Sequence, residues 1–542
     1  MINGHMQQHS FNLINVLQHA AASHGGVEVV TNSVEGGIRR LTYAEIYSRT
    51  CQLANALQKL GVNSGDRVGT MAWNTWRHLE CWYAIGGSGA VCHTLNPRLF
   101  ADQIDFIVNH AEDRFIFIDS TFVPVIAAVA NRLPTLEGLI VMTDSEHMPE
   151  TPGMPFPVHC YEDLIGEQDD TFAWPQLDEN CASSLCYTSG TTGDPKGVLY
   201  SHRSNILHSL SSVGPDVFNL AAVDSFLMIV PMFHANSWGV AFSVPMTGCK
   251  LVMAGPHMDG PSIHKLINDE ECTKSAAVPT VWTGLLDHMD EQGLKLPTLR
   301  ETIIGGSAVP RSMIAKFDQE YGVEVIHAWG MTEMSPLGTL NRPLPFMRDM
   351  SFEQKLDIRC KQGRAPYGVE MKIADEDGNT LPNDGVAFGR LLVRGAWVIE
   401  RYYKKTESEL DDDGWFDTGD VAMIDPHGFM QITDRSKDII KSGGEWISSV
   451  EIENTAVAHD EVQIAACIGV AHPKWDERPL LLVVKKPGCE PSKQSILSLI
   501  AETTAKWQVP EDIEFIEEMP LTATGKIDKK PLRLEFGDYY TK

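Results

Sequence analysis

The sequence predicts an α/β fold: a large N-terminal domain of parallel-rich α/β subdomains ending in a small β-rich subdomain, then a small α+β domain at the C-terminus. Three features predict it. Up to about residue 340, short apolar runs of strand length alternate with stretches of helical periodicity, the pattern of βαβ units around largely parallel sheets. From there to about residue 434 the strands are separated by turn signals instead, at Asp377-Gly378, Asn383-Asp384-Gly385 and His427-Gly428. Beyond about residue 437 helix and strand patterns alternate again.

The elements follow in order. Thr42-Tyr-Ala-Glu45 reads as a capping box, in which Thr42 takes a backbone N–H of the first turn and Glu45 reaches back to the cap. Ile46, Leu53, Leu57 and Leu60 keep helical spacing behind it, and Gly61 with Gly65-Asp66 ends that helix. Arg67–Trp73 reads as a buried strand, Trp76–Gly86 as a helix, and Ala90–Thr94, Phe115–Ile118 and Gly138–Met142 as strands. Ser225–Val230, Lys250–Met253, Ala276–Ala277 and Glu324–His327 continue the parallel series. Val369–Ala374, Gly389–Val393 and Phe429–Thr433 are the strands of the β-rich part, about 340–434. Ser449–Val457 and Lys493–Lys506 read as helices, with Val462–Val470 and Pro479–Val484 as strands. The change of texture puts a boundary at Asp434–Lys437, dividing 1–434 from 435–542.

Composition narrows the function classes. The 542 residues carry 44 Lys plus Arg against 72 Asp plus Glu, a net charge of −28. That argues against nucleic acid and anionic membrane surfaces as partners, and any polyanionic ligand needs locally gathered cations or backbone N–H groups. The 11 cysteines include no CxxC pair, which reads as free thiols in a reducing compartment and not as a zinc site. No apolar run is long enough to span a bilayer, and MINGHMQQHSFNL has no secretion-signal pattern, so a cytoplasmic protein is expected.

One stretch is unlike any core segment. YTSGTTGDPKG, beginning at Tyr187, holds an unbroken run of Ser, Thr and Gly from Thr188 through Ser189, Gly190, Thr191 and Thr192 to Gly193, followed by Lys196. Glycines let backbone N–H groups approach a ligand, consecutive N–H groups form an anion-binding concavity, and the hydroxyls and lysine add donors. This suits phosphate oxygens, but the spacing is not that of a Walker A loop, because Pro195 precedes the lysine and Gly197 follows it. Further clusters accompany it. Gly305-Gly306-Ser307-Ala308 follows a strand with small residues that can lie against a flat ring. His327-Ala328-Trp329-Gly330-Met331-Thr332-Glu333 supplies an aromatic face, a hydroxyl and a carboxylate. Asp417-Thr-Gly-Asp420 puts a carboxylate at a turn, Asp434–Gly444 sits at the domain boundary, and Lys526 follows a glycine near the C-terminus.

In this order, YTSGTTGDPKG, WGMTE, DTGD, DRSKDIIKSGG and TATGK resemble the adenylate-forming superfamily, which includes acyl-CoA synthetases, firefly-type luciferases and peptide-synthetase adenylation domains. The resemblance covers nearly the whole chain and implies a mobile C-terminal domain and two half-reactions. In the first, a carboxylate attacks the α-phosphate of ATP, releasing pyrophosphate and leaving an acyl-adenylate. In the second, the thiol of coenzyme A attacks that mixed anhydride. By the same resemblance, Thr188–Gly193 and Lys196 hold the β- and γ-phosphates. Gly306, Ser307, Ala308 and Trp329 enclose adenine, whose edge is read by backbone near His327 and Ala328, with Gly330 and Met331 alongside. Thr332 bonds the α-phosphate, Glu333 with Thr188 holds Mg2+, and Asp420 with Arg435 holds the ribose. Lys526 bridges the attacking carboxylate and the α-phosphate. Lys437 matches the hinge, and Lys441, Ser442, Gly443, Gly444 and Trp446 enter for the thioester step, Gly444 lining a narrow pantetheine channel.

Met232–Gly239 resembles the segment that borders the acyl site. His234 is placed to orient the carboxylate, and with no acid beside it a buried α-ammonium lacks a counter-charge, which disfavours amino acids. Trp238 and Trp282, if they face the pocket with Gly305, shorten it for short or medium acyl chains. HTLNPRL and FHANSWG are most similar to short- and medium-chain fatty acyl-CoA ligases and to 3-methylmercaptopropionate–CoA ligases. The expected partners are thus ATP, CoA and a small carboxylic acid, and the resemblance also allows a homodimer, since dimers are frequent among such synthetases. Two alternatives stand beside this: acyl transfer to a carrier protein, and a non-catalytic nucleotide-binding sensor, which an intact Lys526, Glu333 and phosphate loop disfavour.

Overall fold

The computed structural model describes residues 1–188, 194–435, 438–442, 445–522 and 527–541, and of Arg435, Glu445 and Trp446 the backbone alone. Two large sheets organise the N-terminal part. One has the strand order Leu337–Leu340, Glu324–Gly330, Glu301–Ile304, Lys274–Ala277, Ser225–Met228, Lys250–Met253, Glu28–Asn32 and Ile38–Thr42. It is parallel except for its two edge strands, which are antiparallel. The other has the order Val158–Cys160, Gly138–Val141, Asp113–Ile118, Arg67–Met71, Val91–Thr94, Ala182–Tyr187 and Gly197–Ser201, parallel but for its last pair.

Side chains alternate across each strand, so each sheet feeds two cores. Ile303, Ile326 and Ala328 of the first sheet share one cluster with Val68, Phe115 and Phe117 of the second. Ile304 and Val325 turn to the opposite face, against the helices Pro279–Gln292 and Arg311–Tyr321, and Ile116 and Leu185 likewise turn outward against Ala101–Ala111. The helix Trp76–Gly87 touches strands of both sheets, and all twelve of its residues are buried. The layers therefore alternate helix, sheet, helix, sheet, helix. The capping box forms as the sequence predicts: Thr42 accepts from the Glu45 N–H, and Glu45 accepts from the Thr42 N–H at 2.7 Å.

The β-rich part is a four-stranded antiparallel sheet of Val369–Ala374, Phe388–Gly395, Phe416–Ile424 and Met430–Arg435. Asp417-Thr-Gly-Asp420 lies inside the third of these strands and not at a turn between strands. The ladder shifts by two residues there, and Gly419 takes a φ of +71°, so the turn chemistry makes a bulge that re-aims Asp420. Ile440–Ser442 already belongs to the C-terminal sheet, with Glu445–Ile447, Asp476–Lys485, Val462–His472 and Asp512–Phe515. Across the intervening segment, Asp434 is buried and accepts from the Ser449 N–H at 2.7 Å and the Ser449 hydroxyl at 3.1 Å. Among the described residues no helix is long and apolar enough to cross a membrane.

Candidate active site

The C-terminal ends of parallel strands are where loops gather in open α/β sheets. Here the two sheets bring two such ends together. Ala182–Tyr187 and Gly197–Ser201 form a hairpin whose connection is the Ser/Thr/Gly run. Ser189, Gly190, Thr191, Thr192 and Gly193 lie outside the described residues, but the base of the hairpin is closed: Thr188 N–H donates to the Lys196 carbonyl at 2.9 Å, and Lys196 N–H to the Thr188 hydroxyl at 3.2 Å. Lys196 is exposed, and its ammonium stands 4.4 Å from the Tyr402 ring centroid.

From the other sheet come Gly305–Ala308, after Glu301–Ile304, and Thr332–Glu333, after Glu324–Gly330. Thr332 and Glu333 are nearly buried. Tyr200, in the second strand of that hairpin, donates to the Thr332 carbonyl at 2.6 Å, and Tyr402 donates to Glu333 Oε1 at 2.9 Å. These two tyrosines join the hairpin to the WGMTE segment. Sequence reasoning missed both, although Tyr200 lies four residues after Lys196.

The β-rich sheet adds the third side. Trp329 donates its indole N–H to Asp420 Oδ2 at 3.0 Å, and the Arg435 backbone lies across the ladder from Asp420. A flat ring and a carboxylate are thereby fixed relative to each other, an arrangement that suits a nucleoside. One face of the Trp329 ring lies on Gly338, where a β-carbon would come within 2.3 Å of it. His327 is directed elsewhere: its ring bonds the Cys360 carbonyl at 3.0 Å, burial pushes its pKa down to about 4, and its own carbonyl takes the Asn341 N–H. A neutral, inward histidine of this kind supports the strand.

Next to the nucleoside surface is a strained turn. Ala235, Asn236, Ser237 and Trp238 all have φ between +43° and +54°, and Gly239 follows at +76°. Successive non-glycine residues in the left-handed region cost roughly 1–2 kcal/mol each and persist where their surroundings enforce them. Asn236 is held by Asn205 at 2.8 Å and Ser237 by the Val230 carbonyl at 3.1 Å. The turn lays Trp238 over Gly305, where a β-carbon would meet the indole at 3.3 Å and the Ala328 carbonyl at 2.8 Å. His234 opens the turn, half-buried.

Trp282 does not join them. It is fully buried, edge-on to Phe317, in the core on the opposite face of the sheet from Trp238. The two indoles therefore do not share one face: Trp282 is core, and Trp238 lies over Gly305. Of the residues expected to serve the thioester step, Lys441 and Ser442 sit on the C-terminal sheet. Lys441 is exposed and donates its N–H to Glu477 at 2.9 Å, while Ser442 is buried and accepts from Arg478 at 3.1 Å. Lys437, Gly443, Gly444 and Lys526 lie outside the described residues, and Trp446 contributes its backbone, paired with Lys441.

Comparison with known proteins gives the family. Residues 17–403 match the family described as AMP-binding enzyme, and residues 451–526 match the AMP-binding enzyme C-terminal domain. The chain is 50% identical over 540 residues to a 3-methylmercaptopropionyl-CoA ligase of Ruegeria lacuscaerulensis, covering 99% of each. It is 50% identical over 537 residues to a medium-chain-fatty-acid–CoA ligase of Ectopseudomonas oleovorans, covering 99% of this chain and 98% of the other. Among solved structures, an anthranilate CoA ligase in complex with anthranoyl-AMP superposes with a TM-score of 0.87 at 26% identity, covering 99% of both chains. With two family segments matched in order along one chain, and relatives half identical from end to end, the chain belongs to the AMP-binding enzymes.

Proposed function

We propose that the acid this protein activates is of short or medium length, with 3-methylmercaptopropionate as the best specific candidate. The protein is an AMP-forming acyl-CoA synthetase, and its substrates are ATP, CoA and a carboxylic acid. In the reading offered here, a carboxylate oxygen bonds to the α-phosphorus of ATP as the bond to pyrophosphate breaks. The CoA sulfur, losing its proton, then bonds to the acyl carbon as AMP leaves. Lys196 and the Ser/Thr/Gly run hold the terminal phosphates, Trp329 and Gly306–Ala308 the adenine, Asp420 and Arg435 the ribose, and Thr332 the α-phosphate. Lys526 serves the first step; the Ser442–Trp446 segment replaces it for the second, by rotation about Lys437.

The donor set suits a hard cation. Glu333 offers a nearly buried carboxylate and Thr188 a hydroxyl, and among the described residues no group of three His, Cys, Asp or Glu gathers to cage a metal. Mg2+ is commonly held by one or two carboxylates together with substrate phosphates and water. Bound there, it would offset negative charge on the phosphate oxygens, with Glu333 and Thr188 as its protein ligands.

The observation that carries the acyl preference is Trp238, laid over Gly305 by a strained turn, which makes an indole the floor of the acyl space. A thioether against indole gains about 0.3–1.5 kcal/mol, and two relatives, each 50% identical, are named for this acid and for medium-chain acids. The test is a panel of acids with and without a thioether, assayed for ATP- and CoA-dependent thioester, in the native protein and in Trp238→Ala. Native enzyme is expected to favour 3-methylmercaptopropionate and acids of comparable length over amino acids and long chains. Trp238→Ala is expected to lower KM for acids about two to four carbons longer, at about 0.8 kcal/mol per methylene newly buried. A native preference for long chains, or an unchanged length profile in the variant, overturns the reading.

A further inference from the structure

Tyr402 touches two groups of opposite charge. Its hydroxyl donates to Glu333 Oε1 at 2.9 Å, and its ring carries the Lys196 ammonium 4.4 Å from the centroid. The segment that holds it is stitched to both neighbours through the backbone. Ile399 N–H donates to the Glu333 carbonyl at 2.8 Å, and Tyr403 N–H donates at 2.8 Å to the carbonyl of Gly197, the residue after Lys196. Tyr402 itself is 7% exposed.

We propose that Tyr402 is a positioning residue for ATP and its cation: the hydroxyl fixes the Glu333 carboxylate while the ring face seats the Lys196 ammonium. This rests on the reading of Glu333 and Lys196 given above. The physical argument is preorganisation. A glutamate and a lysine each have several rotatable bonds, and ordering them on binding costs affinity. A single rigid ring that hydrogen-bonds one and lies beneath the other removes much of that cost for both. The two contacts are also chemically separable, because phenylalanine keeps the ring and loses the hydroxyl.

The experiment measures equilibrium ATP binding by calorimetry over a series of Mg2+ concentrations. The proteins are the native chain, Tyr402→Phe, Tyr402→Leu, Glu333→Gln and Lys196→Ala. A hydrogen bond to a charged acceptor is strong enough that Tyr402→Phe should raise the Mg2+ concentration for half-maximal ATP binding about 10-fold. At saturating Mg2+, its ATP affinity should stay within about 2-fold of native, because the ring face for Lys196 is intact. Tyr402→Leu should show the same Mg2+ shift and a further loss of about 3-fold or more in ATP affinity at saturating Mg2+. If Tyr402→Phe follows the native Mg2+ curve while Glu333→Gln does not, Tyr402 has no positioning role and the reading of the site survives. If Tyr402→Phe weakens ATP equally at every Mg2+ concentration and lowers the thermal midpoint, the tyrosine is structural only and the proposal fails. If Glu333→Gln leaves the Mg2+ dependence unchanged and Lys196→Ala leaves ATP affinity unchanged, the reading of the site is what fails.

Discussion

Replacing Lys526 with alanine should slow acyl-adenylate formation about 10²–10³-fold and leave thioester formation from preformed acyl-adenylate far less affected. The expectation follows from where charge concentrates. As the carboxylate closes on the α-phosphorus, negative charge gathers on the oxygens between them, and a cation already in place there stabilises that arrangement more than the separated reactants. The base from which this lysine extends is well anchored. Leu521 and Ile527 form an antiparallel bridge, and Asp528 N–H donates to the Pro520 carbonyl at 2.8 Å. Three residues beyond Lys526, the Lys529 side chain is 10% exposed, paired with Glu453 at 2.6 Å and donating to Ser449 at 2.6 Å. Ser449 in turn bonds Asp434 at the junction between the antiparallel sheet and the C-terminal sheet. Pyrophosphate exchange dependent on the acid reads the first half-reaction, and AMP release from synthetic acyl-adenylate plus CoA reads the second. Equal losses in both would remove Lys526 from the adenylation step.

Legibility in the sequence tracked how local the determining forces are. The Tyr43–Lys59 helix was legible because its start is a self-contained capping box and its apolar spacing repeats within a few turns. Lys250–Met253, Val369–Ala374 and Ser449–Val457 run between the residues read from the sequence. The edge hairpin of Glu28–Asn32 and Ile38–Thr42 was not read. Its second strand is Ile-Arg-Arg-Leu-Thr, mostly exposed, and the first is fixed by a partner far along the chain, with Val29 beside Leu251. Asp417-Thr-Gly-Asp420 has the composition of a turn, yet strands on both sides capture it, and only the ladder reveals a bulge. Trp238 and Trp282 look alike as residues. The face of the sheet each takes is decided by the helix and turn packed there, which no short window contains. The site motifs were legible because phosphate and nucleoside chemistry needs particular residue types at particular spacing. Tyr200 and Tyr402 were not, since a tyrosine in a strand or loop is ordinary until its hydroxyl is seen to meet Thr332 or Glu333.

The largest stability effect is expected from Arg77→Met, through a set of charges that joins the two large sheets. Arg77 is 7% exposed on its side chain and contacts Glu35 at 2.5 Å, Glu162 at 2.7 Å and the Met142 carbonyl at 3.0 Å. Glu35 belongs to the turn of the edge hairpin in one sheet, while Met142 and Glu162 follow strands of the other. Burial alone would raise both carboxyls. For Glu35, hydrogen bonding from Ser33 and then the charge of Arg77 outweigh it; for Glu162, Arg49 and then Arg77 do, so both stay below the ordinary value. Removing the guanidinium leaves Glu35 buried without its cation, and breaking one partner of a buried pair typically costs 3–5 kcal/mol. The lower end, about 3 kcal/mol, is expected because Glu162 keeps Arg49 at 3.0 Å and is 26% exposed on its side chain. Urea unfolding followed by tryptophan fluorescence should report this as an earlier transition, and adding Glu35→Gln to Arg77→Met should recover part of the loss. The sign with pH is fixed by the depressed carboxyls: this contribution is full above their unfolded values near 4.5 and is lost as pH falls through the lower folded values. The difference between native and Arg77→Met should therefore shrink below about pH 4. Because the same charges hold the sheet that carries the Thr188–Lys196 connection against the sheet that carries Glu333, the variant should also bind ATP more weakly at temperatures where it remains folded, if the proposed ATP site is right. A variant as stable as the native protein at neutral pH would show that this set of charges adds nothing to what otherwise holds the two sheets together.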